Sequence, residues 1–131
     1  MNKLYLSDEH LTSESVGLRA FLNICELWGL SHEQSLALLG VARVPQNHRD
    51  ETSADLSELS ADSIKRISYV LGIYANLQLL LPDLMAADRW MSAKNEAAIF
   101  NGESALEKIL AGDIHDLEQV HQYLYALSVG N

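Results

Sequence analysis

The sequence predicts an all-α protein, and three observations support this prediction. Apolar residues recur at steps of three and four along the chain, whereas a strand would alternate them. Only two prolines, Pro45 and Pro82, interrupt the 131 residues. Residues typical of helix starts and ends flank each periodic segment. The chain is long enough to bury a core of its own, and 48% of its residues are apolar.

The N-terminal part predicts two helices separated by a tight turn. The first covers Ser13 to Trp28, and Gly29 lies where a left-handed helix cap is expected. Ser31 and Gln34 have the spacing of a capping box, in which each side chain bonds the other's backbone N–H at the start of a helix. Gly40 is expected to end this second helix.

This arrangement has the spacing of a helix-turn-helix, whose next element, near Pro45 to Glu51, would read the DNA major groove. The side chains there that can contact base edges or phosphates are Arg43, Gln46, Asn47, His48 and Arg49. Three carboxylates, Asp50, Glu51 and Asp55, lie beside them, and the formal net charge of -9 opposes non-specific binding to phosphate. A solvated turn explains the same residues equally well.

The longest periodic segment predicts a central helix that Ser60 caps and Pro82 ends. Its expected buried face comprises Ile64, Ile67, Leu71, Tyr74, Leu77 and Leu81. We therefore expect a helix-turn-helix-like lobe over residues 13–59, packed on a C-terminal helical lobe over residues 83–131. The long helix over residues 60–82 would join the two lobes.

After the central helix we expect a short helix that carries Trp90, and then a loop over Ser92 to Gly102. Two further helices should cover about Ser104 to Ala111 and Asp116 to Ser128. Gln119 is placed to form a capping box at the start of the last one.

The loop itself is expected to be a shaped, fairly rigid surface. Trp90 would anchor one side of it in the core, and Phe100 would fix its far end. Asn101 and Gly102 form a turn, because glycine tolerates a positive φ, and Ser104 can cap the next helix.

Catalysis and metal binding find no support in the sequence. Cys25, the sole cysteine, is expected in the core and leaves no disulfide or thiolate cluster. The five histidines lack metal-binding spacing, and no set of residues is arranged for nucleophilic catalysis. We expect no enzyme activity, metal or cofactor. Without a signal peptide or membrane span, the chain is expected in the cytoplasm.

The C-terminal block carries several ordered marks: Trp90 after an acidic-basic pair, Asn95 five residues later, Phe100 two residues before a glycine, and Ser104-Ala105-Leu106 opening a helix. The whole block, from Tyr74 to Leu127, resembles the toxin-binding domain of Xre/MbcA/ParS-type antitoxins. The preceding block, LNICELWGLSHEQSLALLGV, resembles the helix-turn-helix of the same family. The resemblance thus covers about Ser13 to the C-terminus. Members commonly carry proline where this chain has Lys94 and Ala105.

The resemblance implies an antitoxin of a type II toxin-antitoxin pair. Its C-terminal lobe would bind a cognate NAD-consuming toxin of the RES or ParT-like ADP-ribosyltransferase kind and occlude its active site. The family also implies a homodimer that binds operator DNA and represses its own operon. The alternative is a helix-turn-helix transcriptional regulator whose C-terminal lobe only dimerises.

On this sequence, Trp90 is the expected structural anchor of the toxin-binding lobe. The residues expected to bind toxin are Asn95, Glu96, Phe100, Asn101, Gly102, Glu103 and Tyr125. Tyrosine is favoured at interfaces for its rigid ring and polar tip. Negative charge suits such an inhibitor, because an enzyme pocket that attracts a dinucleotide is expected to be basic.

Overall fold

The computed structural model describes residues 13–41, 59–111 and 113–130, and it confirms the all-α prediction for them. Its elements are α1 (Ser13–Leu27), α2 (His32–Leu39), α3 (Ala61–Leu80), α4 (Leu84–Ser92), a 3-10 turn (Ala98–Phe100), α5 (Ala105–Ala111) and α6 (Ile114–Ser128). An isolated antiparallel bridge pairs Lys94 with Ser104. No helix of the described part is long and apolar enough to cross a membrane.

The predicted caps fix the ends of α2. Gln34 N donates to Ser31 Oγ at 3.1 Å, and Ser31 N donates to Gln34 Oε1 at 2.9 Å, so the capping box is confirmed. Gly40 ends the helix in the left-handed conformation, with φ 88°. The Ser60 cap of α3 is also confirmed, because Ser63 N donates to Ser60 Oγ at 3.0 Å.

The start of α6 differs from the prediction. The helix begins at Ile114, two residues before the predicted start at Asp116. Asp113 is the N-cap, and its backbone N–H donates to Asp116 Oδ2 at 3.0 Å. The capping box therefore pairs Asp113 with Asp116, and Gln119 has no part in it. Aspartate caps helices as well as serine does, and the sequence has an aspartate both at 113 and at 116 that could serve as the N-cap.

Helix α3 lies at the centre of the core and packs against α1, α2, α4 and α6. Its buried residues are Ser63, Ile67, Val70, Ile73, Asn76 and Leu77. The prediction that Ile64 is buried is wrong, since 36% of this residue is exposed. A helix with neighbours on several sides buries a wider arc than a single stripe, and this arc takes in the small polar residues Ser63 and Asn76.

Helices α3 and α6 pack side by side and run in the same direction. The rings of Tyr69 and His121 lie 5.6 Å apart, and further along both helices Ser128 Oγ donates to Asn76 Oδ1 at 3.1 Å. Gly72 leaves room for the side chain of His121 between the helices, because a Cβ at this position would overlap the imidazole. The C-terminal ends of α3 and α6 consequently lie at the same end of the molecule.

Candidate functional site

The loop between α4 and α5, residues 93–104, forms the candidate site. The 3-10 turn Ala98–Phe100 occupies its middle and leads directly into two left-handed residues. Asn101 has φ 51° and Gly102 has φ 85°, so the turn predicted at this dipeptide is confirmed. The middle of this segment thus has regular backbone structure. We call residues 93–104 the α4–α5 loop.

Backbone contacts close the α4–α5 loop at its base. Lys94 and Ser104 form the antiparallel bridge, and Asn95 N donates to Glu103 O at 3.1 Å. The Asn95 side chain adds a local bond, because Ala97 N donates to Asn95 Oδ1 at 2.9 Å. Asn95, predicted as a toxin contact, therefore has a structural role in shaping the loop.

Phe100 attaches the tip of the loop to the helices below it. Only 1% of Phe100 is exposed. Its ring packs edge-on against Trp90, with centroids 5.8 Å apart, and against Tyr123 of α6, at 5.4 Å. This T-shaped geometry is the favoured one for aromatic pairs. Phe100 can thus affect a partner only through the shape of the loop, whereas the half-buried Trp90 anchors it from α4.

Tyr123 is a residue of this site that the sequence prediction did not assign. It lies on the side of α6 that faces the loop and completes the aromatic trio with Trp90 and Phe100. The feature of the sequence that points to Tyr123 is its spacing of three residues from Val120, which is buried. This spacing places both residues on one face of the helix.

The far end of the loop is held by a capping box at the start of α5. Ser104 N donates to Glu107 Oε1 at 2.9 Å, and Glu107 N donates to Ser104 Oγ at 3.0 Å. The Ser104 cap is therefore confirmed. The backbone N–H of Ser104 lowers the pKa of the Glu107 carboxyl, and the charge of Lys94 acts in the same direction. Glu107 remains ionised at neutral pH and keeps the cap formed.

The charged side chains that the loop exposes are two carboxylates, those of Glu96 and Glu103, and the ammonium group of Lys94. Glu96 and Glu103 are exposed, and so are Asn101 and Gly102 in the turn. Carboxylates on a fixed backbone can accept hydrogen bonds from lysine and arginine side chains of a partner. The arrangement therefore suits recognition of a basic protein surface.

Tyr125 does not belong to this surface. It is 56% exposed and stacks on His121, with ring centroids 6.5 Å apart and an interplanar angle of 7°. His121 in turn packs against Tyr69 of α3. Tyr125 is two residues from Tyr123, which turns it about 200° around the helix, away from the loop. The structure thus separates Tyr125 from the other predicted toxin-binding residues.

The five predicted DNA-binding residues fall outside the part of the chain that the structure describes. They are Arg43, Gln46, Asn47, His48 and Arg49. The two helices that precede them, α1 and α2, are present as predicted and enclose a turn in which Gly29 has φ 76°.

Within residues 13–41, 59–111 and 113–130, no group of three or more His, Cys, Asp or Glu side chains is placed to hold a metal ion. Cys25 is 1% exposed, and its burial raises the pKa of the thiol to about 11, partly offset by a hydrogen bond with Ser35. A thiol with this pKa is not ionised at neutral pH and is a poor nucleophile.

Comparison with known proteins identifies a relative of the chain. No protein-family model and no solved structure matches the chain. The uncharacterized protein y4oB of Sinorhizobium fredii is 33% identical over 109 residues, which cover 83% of this chain and 81% of that protein. The aligned region exceeds two thirds of both chains, so the similarity extends over the fold as a whole. The chain therefore belongs to the same family as y4oB.

Proposed function

We propose that the protein is a cytoplasmic antitoxin that binds a cognate NAD-consuming toxin of the RES or ParT-like ADP-ribosyltransferase kind and occludes its active site. The observation that carries this proposal is the α4–α5 loop, whose backbone is closed at its base and whose exposed face bears Glu96 and Glu103. This loop follows Trp90, the residue around which the resemblance to the antitoxin family is densest.

The shape of the loop favours tight binding. Backbone bonds at Asn95, the buried Phe100 and the Ser104 cap hold the loop in one conformation before a partner arrives. Binding by a loop that is already ordered avoids the loss of conformational entropy that ordering it in the complex would cost. The loop can therefore block a toxin's active site in the conformation that it already has.

The charge of the protein favours the same partner. A toxin that binds a dinucleotide has phosphates to neutralise, so we expect basic side chains around its pocket. A chain with a net charge of -9, whose loop exposes two carboxylates against one lysine, is attracted to such a pocket. Operon repression through residues 43–49 would be a second activity of the same protein.

Co-expression with the neighbouring gene tests this function. We expect the neighbour alone to arrest growth and deplete NAD, and the full chain to restore both. Deleting residues 104–131 would not be a clean test, because it removes α5 and α6 and with them the core residues Ile109, Leu117 and Leu124.

Point substitutions that keep the fold are the better probe. The double variant Glu96→Lys, Glu103→Lys reverses the charge of the loop and should lose rescue. The control variant Glu26→Lys, Glu33→Lys makes the same change on exposed positions of α1 and α2 and should keep it. No toxicity from the neighbour, or no rescue by the wild-type chain, would favour a transcriptional regulator instead. Equal rescue by both variants would show that the loop is not the binding surface.

A further inference from the structure

The last turn of α2 is bonded to an ion pair on α3. Arg66 Nε donates to Asp62 Oδ2 at 2.7 Å, and Arg66 Nη1 donates to Leu38 O at 3.4 Å. Leu38 and Arg66 are 28 residues apart, so this contact joins two distant parts of the chain. We call Asp62, Arg66 and the carbonyl of Leu38 the α2 clamp.

The clamp completes the C-terminal cap of α2. Gly40 N donates to Ala37 O at 3.0 Å, and Leu38 O, the next carbonyl along the chain, accepts from Arg66. The last carbonyls of a helix need partners from outside the helix, and a positive charge beside them interacts favourably with the helix dipole. Arg66 supplies both a hydrogen bond and a positive charge to the end of α2.

Gly40 leaves the space that the clamp occupies. Its φ of 88° is left-handed, and a Cβ here would lie 2.8 Å from Arg66 Nε and 3.1 Å from Asp62 Oδ2. The side chain of Arg66 is 15% exposed, against 49% for that of Asp62. Arg66 is therefore mostly buried between the two helices, whereas the neighbouring Lys65 is exposed.

The clamp lies where the chain leaves α2 toward the five predicted DNA-binding residues. Arg43, the first of them, is three residues after Gly40, and three residues of chain span at most about 11 Å. Hydrogen bonds to base edges require side chains that meet those edges in one orientation, whereas attraction to phosphates does not. A fixed end of α2 would thus favour the reading of base sequence more than general binding to phosphates.

We propose that the α2 clamp positions this chain for operator recognition, because it fixes the end of α2 and so orients the residues that follow. This inference rests on the operon repression included in the proposed function. Arg66 acts through Leu38 O and does not touch DNA, since its guanidinium is bonded within the protein. Asp62 supports operator binding in this account, although its charge has the same sign as that of the phosphates.

Fluorescence anisotropy with two labelled duplexes tests the clamp: the DNA upstream of the gene for this chain, and a scrambled duplex of the same length. Asp62→Ala should weaken binding to the upstream DNA by at least about tenfold, a loss in the range that one mismatched base pair causes. Binding to the scrambled duplex should stay the same or tighten, because a negative charge is lost. The control Glu33→Ala removes an exposed carboxylate of α2 outside the clamp and should weaken neither.

Arg66→Met distinguishes positioning from contact with phosphate. Loss of one phosphate contact reduces the slope of log affinity against log salt concentration by about one. Arg66→Met should instead weaken binding to the upstream DNA and leave this slope unchanged. The matched variant Lys65→Met removes the same charge one residue away without breaking the clamp, and should weaken binding less than Arg66→Met does.

Circular dichroism and growth rescue by the same variants separate this inference from the proposed antitoxin activity. Both clamp variants should stay folded and keep rescue, because neither residue belongs to α4, α5 or the α4–α5 loop. A wild-type chain that binds both duplexes equally would overturn the clamp's role together with operon repression, and would leave toxin binding unaffected.

Three further outcomes would overturn the positioning role alone. One is an Asp62→Ala variant that binds the upstream DNA as tightly as the wild type does. Another is an equal loss in Arg66→Met and Lys65→Met. The third is a clamp variant that loses rescue and DNA binding together, which would show that the ion pair only stabilises the fold.

Discussion

Replacing Phe100 by alanine is expected to lower the free energy of unfolding by about 3–5 kcal/mol, as is typical when a large aromatic ring is removed from a core. Only 1% of Phe100 is exposed, and the ring holds edge-on contacts to both Trp90 and Tyr123. Its loss would leave a cavity where the loop meets α4 and α6. Chemical denaturation followed by circular dichroism measures the change.

Trp90→Ala is the matched comparison. Trp90 is only half-buried, so its removal should cost less stability than the removal of Phe100, although its ring is larger. If Phe100→Ala costs less than about 1 kcal/mol, or less than Trp90→Ala, then Phe100 does not fix the loop to the core as described.

Replacing Gly72 by alanine is expected to destabilise the protein by about 1–2 kcal/mol, although alanine is the better helix former. The added methyl group would overlap the imidazole of His121, which packs between Tyr69 and Tyr125. His121 would have to leave this position or the two helices would have to separate. Thermal or chemical unfolding of the variant measures the net effect.

The same substitution should have the opposite sign when His121 is absent. In a His121→Ala background the space at Gly72 is free, and Gly72→Ala should then stabilise α3 by about 1 kcal/mol through helix propensity alone. The four proteins form a double-mutant cycle that isolates the contact. Equal effects of Gly72→Ala in both backgrounds would show that the imidazole of His121 does not occupy the space beside Gly72.

Local signals in the sequence predicted much of the fold. The capping pairs at Ser31, Ser60 and Ser104 each involve residues three apart, so one short stretch of sequence contains all the information needed. The turn at Asn101 and Gly102 follows from residue types that tolerate a positive φ. These predictions concern contacts within a few residues, and the structure confirms them.

Contacts between distant residues were harder to predict. The packing of α3 and α6 places His121 beside Gly72, which is far from it in the chain, and no periodic pattern links the two residues. The same packing determines that Tyr123 faces the loop and Tyr125 does not. The sequence indicated which residues are suited to binding, but only the packing of α6 shows which of them share a surface.

Occlusion of a toxin's active site by the α4–α5 loop is the central claim, and steady-state inhibition tests it most directly. Turnover of NAD by the purified protein from the neighbouring gene would be measured at increasing NAD, with and without this chain. Because the loop and NAD would occupy the same entrance, the apparent inhibition constant should rise in proportion to NAD concentration above the KM. An inhibition constant independent of NAD, or no inhibition at all, would contradict occlusion.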